Sequence, residues 1–271
     1  MTIVVASAAP DGIVLASDSR TTLRRGPGHR IASDSTRKVV EIWPGTAVAT
    51  YGLADIAGVT VAGLLEEFVA ATADPTNWSP QETGRALAEF FDAQFEPSVR
   101  EQFRRLGVSP LGFLVASYDR DPWIGRFIEV TVPSGSAGDA VRVLDVDTRR
   151  PGFVYRGQSQ HIRRLLEGFD TEGFNSQVGR TLLTPPLRDY LAGQAYITNR
   201  IINLQDAIDV ATFIVRLTID MERLTDGTFA APQTSPLCGG PIQMIVVNRA
   251  GGRWIASPGL SVRPAGMSEW G

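Results

Sequence analysis

Thr2-Ile3-Val4-Val5-Ala6-Ser7-Ala8, the turn Pro10-Asp11-Gly12 and a second apolar run, Ile13-Val14-Leu15-Ala16-Ser17, form the stretch from which the rest of the chain is read. Two β-rich runs on either side of a turn, with a glycine free to take a positive φ, make residues 2–18 a β-hairpin. Moving outward, Arg24-Arg25-Gly26-Pro27-Gly28-His29-Arg30 reads as a basic, glycine-rich loop. Lys38-Val39-Val40-Glu41-Ile42 and Thr46-Ala47-Val48-Ala49-Thr50 read as two more strands around the turn Trp43-Pro44-Gly45. The first fifty residues are therefore expected to be a four-stranded antiparallel meander.

Helical patterns come next. Residues 53–73 are rich in Ala, Leu and Val, with Glu66 and Glu67 on the wet face. Residues 79–106 open with Ser79-Pro80-Gln81-Glu82, an N-cap followed by proline at the first helical position, and Pro97 should kink or divide that stretch. Strands return at Phe113–Tyr118, Gly125–Val132 and Val141–Asp147, with a loop at 133–138. A helix is expected from about Ser159 to Gly168, and a long amphipathic one within Thr198–Leu224. Pro241–Asn248 and Arg253–Ser257 form a last hairpin around Arg249-Ala250-Gly251-Gly252. Blocks of strands separated from blocks of helices favour an α+β fold over an alternating parallel sheet. No repeat or linker divides the chain, so 1–271 is expected to be one domain.

Composition narrows the function. The 271 residues are 43% hydrophobic and 20% charged, enough for a sizeable core. With 26 Lys and Arg against 29 Asp and Glu, the net charge of −3 and the lack of a basic block make nucleic acid a poor partner. The single cysteine, Cys238, excludes an internal disulfide and a Cys-rich zinc site, and two histidines, His29 and His161, do not suggest a metal centre. No cationic segment precedes the first apolar run, and no stretch of about 20 apolar residues exists. A cytoplasmic protein without membrane contact, metal or organic cofactor is expected.

Position 2 carries chemistry if Met1 is removed, which a small side chain at position 2 favours. An N-terminal Thr holds nucleophile and base in one residue, because its α-amine, of reference pKa about 7.7–8.0, can take the hydroxyl proton. Taken alone, Thr2 is simply a β-branched residue opening a strand. The neighbouring motifs add to it. Asp11-Gly12-Ile13-Val14-Leu15-Ala16-Ser17-Asp18-Ser19-Arg20, Ile31-Ala32-Ser33, Thr36-Arg37-Lys38-Val39-Val40-Glu41-Ile42 and Thr50-Tyr51-Gly52-Leu53-Ala54-Asp55 stand in the order seen in the 20S proteasome β-subunit family. The resemblance covers about residues 2–58. Among the N-terminal nucleophile (Ntn) hydrolases, it is nearest to the bacterial ancestral β-subunit (Anbu) and heat-shock-locus peptidase types.

The resemblance implies a four-layer αββα sandwich of two antiparallel sheets, and a set of roles. Thr2 stands on the nucleophile, sixteen residues before Asp18, which stands on the family's buried Asp. Lys38 matches the catalytic lysine once a longer loop at 23–30 is allowed, and Gly52 matches the glycine whose N–H serves the oxyanion hole. A second register, with Met1-Thr2-Ile3-Val4 on the family's Thr-Thr-Ile-Val opening, would put Met1 on the nucleophile and require an extra residue before the turn; the ungapped register is simpler. Ser159 and Ser235 fall at supporting positions. Here the family pattern is altered: Gln158 stands where a serine supports the amine, and in Ser235-Pro236-Leu237-Cys238-Gly239-Gly240 the family's Asp and Ser are Ser235 and Cys238. Residues 170–200 have no place in the pattern. By the same resemblance Thr21, Thr36, Val40, Thr50 and Ala54 line the pocket for the substrate side chain before the cleaved bond, Thr22 and Ala54 pair with an extended substrate, and the chain forms a homo-oligomeric ring or helical stack serving a peptide or unfolded protein, with an unfoldase as a further partner.

Rival chemistries are weaker. Gly157-Gln158-Ser159-Gln160-His161 lacks the final glycine of a serine-hydrolase elbow, and His161 should point away from Ser159 on a helix surface. His29 reads as a loop residue. Cys238 reads as a small buried hydrophobe. Gly26-Pro27-Gly28 is followed by no Gly-Lys-Ser/Thr and is no phosphate loop. The expectation is amide hydrolysis through an ester on Thr2; the other class is a non-catalytic structural subunit of the same fold.

Overall fold

A computed structural model describes residues 2–25, 28–73, 75, 78–120, 122–134, 140–166, 184–193, 201–228, 231–232 and 235–257. Strands β1 (Ile3–Ala9) and β2 (Gly12–Ser17) form the expected hairpin, pairing Val4 with Ser17 and Ala9 with Gly12. Strands β3 (Thr21–Arg25) and β4 (Gly28–Ser33) follow, then β5 (Val39–Trp43) and β6 (Thr46–Gly52), the short pair β7 (Asp55–Ile56) and β8 (Val59–Thr60), and helices α1 (Val61–Ala71), α2 (Pro80–Gln94) and α3 (Pro97–Leu106). Next come β9 (Leu111–Arg120), β10 (Trp123–Val132), β11 (Val141–Asp147), β12 (Gly152–Gly157), α4 (Gln160–Leu166), α5 (Pro185–Ala192) and α6 (Leu204–Leu224). The strands β13 (Gly227–Thr228), β14 (Ala231–Pro232), β15 (Gln243–Asn248) and β16 (Gly251–Ala256) complete the described elements.

Two five-stranded antiparallel sheets, β12-β1-β2-β15-β16 and β11-β10-β9-β6-β5, carry the α+β fold. Their central strands are apolar on both faces, and the period-two alternation sorts side chains between two cores. Val4, Ala6, Ala8, Ile13, Leu15, Ile245 and Val247 meet Val39, Ala47, Ala49, Leu114, Ala116 and Phe127 between the sheets. The odd-numbered Ile3 and Val5, with Val14, Val246 and Met244, turn the other way, against Ala207, Ala211, Ile214 and Val215 of α6 and Ile162 of α4. On the second sheet Val48, Phe113, Val115, Ile128 and Val130 pack against Leu64, Leu65 and Phe68 of α1 and Leu87 and Phe91 of α2. Each such fully buried aliphatic or aromatic side chain contributes about 1.5–3 kcal/mol.

The two early hairpins do not make one meander. β1–β2 lies in the first sheet, and β5–β6 in the second beside β9. Alternation is the same in both, so only the partner strands choose the sheet. The expected basic loop is the hairpin β3–β4, in which Thr22 pairs with Ile31 and Leu23 with Arg30, and His29 is thus a strand residue. The helix expected from residue 53 starts at Val61, because Ala57 and Gly58 turn the chain at φ 52° and 84° and Thr60 then caps the helix by accepting from the Gly63 N–H. Glu66 and Glu67 are exposed. The Ser79–Glu82 capping box and the division at Pro97 are present, and Gly107 ends α3 in the left-handed region at φ 63°. The stretch Gly152–Gly157 before α4, for which the sequence suggests no element, is strand β12 at the edge of the first sheet. Most of 133–138 and of 170–200, and Gly168, lie outside the described residues. Among the described residues no helix is long and apolar enough to cross a membrane.

Candidate functional site

The end of β2 delivers Asp18 into the interior with no exposed surface. Its Oδ1 accepts the Ile3 N–H at 3.2 Å and the Lys38 Nζ at 2.9 Å; its Oδ2 accepts the Arg20 N–H at 3.2 Å and the Gly239 N–H at 3.0 Å. Burying a carboxylate and an ammonium together is tolerable only when both are paired and the remaining lone pairs are met, as they are here. Lys38 is fixed through its own backbone. Gln243 Oε1 accepts the N–H groups of Lys38 and Val39 at 2.9 and 3.1 Å, Gln243 Nε2 donates to Thr36 O at 2.7 Å, and Lys38 O accepts the Thr50 N–H at 2.9 Å.

Thr2, Lys38, Gly52, Thr21, Thr22, Thr50 and Ala54 all line one cleft of about 230 Å3, together with Arg20, Leu23, Tyr51, Leu53 and Asp55. The Arg20 guanidinium is closed onto Asp34 by two hydrogen bonds of 2.6 and 2.9 Å, which push its already high pKa further up. Thr21 and Thr36 share a hydroxyl hydrogen bond of 2.7 Å. Gly52 has φ +96°, and a Cβ there would stand 2.1 Å from the Pro110 carbonyl oxygen. Gly52→Ala is therefore expected to cost more than about 3 kcal/mol, since a left-handed non-glycine residue and a backbone clash add. A urea midpoint that moves by less than about 1 kcal/mol equivalent would show that the β6–β9 edge yields easily.

The other expected site residues lie elsewhere. Val40 is buried among the side chains under α1 and α2, away from the cleft lining, because its neighbour Val39 takes the inter-sheet direction. Thr36 reaches the cleft only through Thr21. Ser159 is buried, and its carbonyl accepts the Arg163 N–H at the first turn of α4. Ser235 precedes the turn whose Gly239 N–H reaches Asp18. Cys238 is fully buried, as expected; burial first, and the Asp18 charge second, push its thiol well up and keep it neutral.

Two residues, Gln243 and Glu222, gain significance only in the fold. Gln243 orients the Lys38 backbone. Glu222, in the last turn of α6, is 2% exposed: Oε1 accepts Gln158 Nε2 at 3.0 Å, Oε2 accepts the Leu237 N–H at 3.0 Å, and His161 Nε2 lies 3.6 Å from Oε1. Burial works against this carboxylate's charge, but the His161 ring beside it and the hydrogen bonds from Leu237 and Gln158 outweigh it and hold its pKa low. His161 is accordingly buried, not the surface residue expected. The Gln158 N–H donates to Thr2 O at 2.8 Å, and Gly157, at φ +87°, lets the chain pass close to that carbonyl. A polar residue spaced onto the core face of an amphipathic helix was the available signal for Glu222.

Behind the cleft, Tyr51 donates to Glu129 Oε1 at 2.8 Å, and Arg156 and Arg142 pair with the same carboxylate across the edge of the two sheets. Desolvation raises the Glu129 pKa, but Arg156, Tyr51 and Arg142 bring it from 4.5 down to about 2, while burial and Glu129 push Tyr51 up. A depressed carboxylate gives stability that is present above its unfolded pKa and is lost as pH falls through the folded one. Parent stability relative to Glu129→Gln should thus shrink between about pH 4.5 and pH 2, by on the order of 2–3 kcal/mol. Urea melts of both chains at pH 5 and pH 3 measure it; a constant difference would remove Glu129 as its source.

A larger cavity, about 410 Å3, opens at the other end of β6 between Trp43, Trp78, Tyr118, Trp123 and the 249–251 turn. The smaller cleft instead gathers Thr2, the lysine of the buried Lys38–Asp18 pair and the positive-φ Gly52. Among the described residues no three His, Cys, Asp or Glu gather to hold a metal ion. No family model matches the chain, and no curated protein matches it either.

Proposed function

We propose that the chain is a threonine-type peptidase or amidohydrolase in which Thr2, exposed by removal of Met1, is the nucleophile. The observation that carries this reading is the buried Lys38–Asp18 pair, 2.9 Å apart, whose lysine lines the same cleft as Thr2 and Gly52. The order helices, sheet, sheet, helices supports assignment to the four-layer αββα Ntn fold. In the proposed reaction the Thr2 α-amine takes the hydroxyl proton as Oγ1 attacks the substrate carbonyl. The Lys38 ammonium favours the developing alkoxide, and the Gly52 N–H donates to the oxyanion. Collapse expels the amine, which leaves with that proton, and water then hydrolyses the Thr2 ester. With Arg20 neutralised by Asp34, the walls formed by Thr21, Thr50, Leu53 and Ala54 suit small uncharged side chains. Peptides or unfolded protein are the proposed substrates, acted on in the cytoplasm by a homo-oligomeric ring or helical stack, with an unfoldase as a further partner.

A second reading, a non-catalytic subunit of such an assembly, is favoured by one observation: Gln158 and Ser235 replace the resembled family's supporting Ser and Asp. Intact mass after incubation with a peptide epoxyketone separates the two. The reagent closes a ring on a free α-amine and hydroxyl of one residue, so loss of Met1 and one adduct per chain is expected. Retained Met1, or a processed chain without adduct, sinks the catalytic reading.

A further inference from the structure

We infer that Glu222 is a positioning residue for Thr2 and Asp18, a role that rests on the catalytic reading of Thr2. Two segments brought from distant parts of the chain hold these groups. Residues 157–158, at the β12–α4 junction, hand the Gln158 N–H to Thr2 O at 2.8 Å. The 237–239 turn hands the Gly239 N–H to Asp18 Oδ2 at 3.0 Å, and Gly239 O accepts the Ser19 N–H at 3.1 Å. One carboxylate ties the segments together: Glu222 takes the Gln158 side-chain N–H on Oε1 and the Leu237 N–H on Oε2, each at 3.0 Å, with His161 3.6 Å from Oε1. The carboxylate is supplied by the end of α6, whose apolar face is locked against β1 and β2. The clamp thereby references both segments to the hairpin that carries Thr2 and Asp18.

Leucine keeps much of the volume of glutamate but offers no acceptor oxygen, whereas a glutamine could keep both links if the Gln158 amide turned over to accept from it. In Glu222→Leu both links open without leaving a large cavity. Gln158→Ala cuts the first of these links from the other side and spares the Gln158 backbone N–H. The test measures saturation kinetics of peptide-epoxyketone inactivation, with amide hydrogen exchange of the segments 156–160 and 236–240, in the parent and in both single variants and the double variant. The maximal inactivation rate is expected to fall at least tenfold in each single variant. The half-saturation concentration should stay within about twofold, and the double variant should be no slower than the slower single one. Exchange should quicken in both segments while α6 stays protected. A parent-like maximal rate, additive losses in the double variant, or unchanged exchange overturns the clamp. Loss of α6 protection would make Glu222 a general stability residue and overturn it too. A parent chain that takes no adduct fails earlier, at Thr2 itself, and brings this role down with that reading.

Discussion

Thr2→Ala should remove both peptide hydrolysis and the epoxyketone adduct while the urea midpoint stays within about 0.5 kcal/mol equivalent of the parent. Alanine at position 2 is as small as threonine, so Met1 processing is preserved and the comparison isolates the hydroxyl. Thr2 packs at the start of β1, with its carbonyl held by the Gln158 N–H, a bond that alanine retains. The loss expected is the whole nucleophilic pathway, about 10^3-fold or more by analogy with the removal of other covalent nucleophiles. Thr2→Ser, which keeps hydroxyl and amine on one residue, should keep the adduct. Hydrolysis persisting in Thr2→Ala would take Thr2 out of the mechanism, and the cleft would then be read as a binding site.

Lys38→Ala should affect activity and stability together. Asp18 has no exposed surface, and without the ammonium it retains three backbone N–H donors but no opposite charge. Stranding one member of a buried pair costs about 3–5 kcal/mol. Lys38→Met keeps most of the stem volume and separates charge from cavity. It should lose hydrolysis as fully as Lys38→Ala, by about 10^2–10^3-fold, while being the more stable of the two. Denaturant melts and single-turnover labelling rates measure both quantities. A Lys38→Met chain labelled at the parent rate would show that the ammonium does not act on Thr2. The Gln243 contacts to the Lys38 and Val39 backbone N–H groups survive in either variant, so the strand start itself should hold.

Much of this site could be read before folding. Thr2, Asp18, Lys38 and Gly52 lie at or next to the ends of strands whose apolar runs are visible, and the register of a two-strand hairpin fixes where its ends fall. The capping box at Ser79, the break at Pro97 and the turn at Gly45 are likewise local, set by backbone preferences within a few residues. Val40 lies on the α1–α2 side of β5, and the choice of face in a strand covered on both sides is not written in its alternation. The same ambiguity merged β1–β2 and β5–β6 into one meander, when β15 and β12 claim the first pair and β9 the second.

The hairpin at the chain start, the β5–β6 hairpin, the cap at Ser79 and the spacing of Thr2, Asp18 and Lys38 follow from the amino-acid order, because they depend on turns and periodicities spanning a few residues. The assignment of hairpins to sheets, the burial of His161, the Gln243 brace and the Glu222 clamp depend on contacts between residues up to about two hundred positions apart. Such contacts form only when the faces of two sheets and α6 close on one another, and the hydrogen bonds they demand of buried polar groups select the partners.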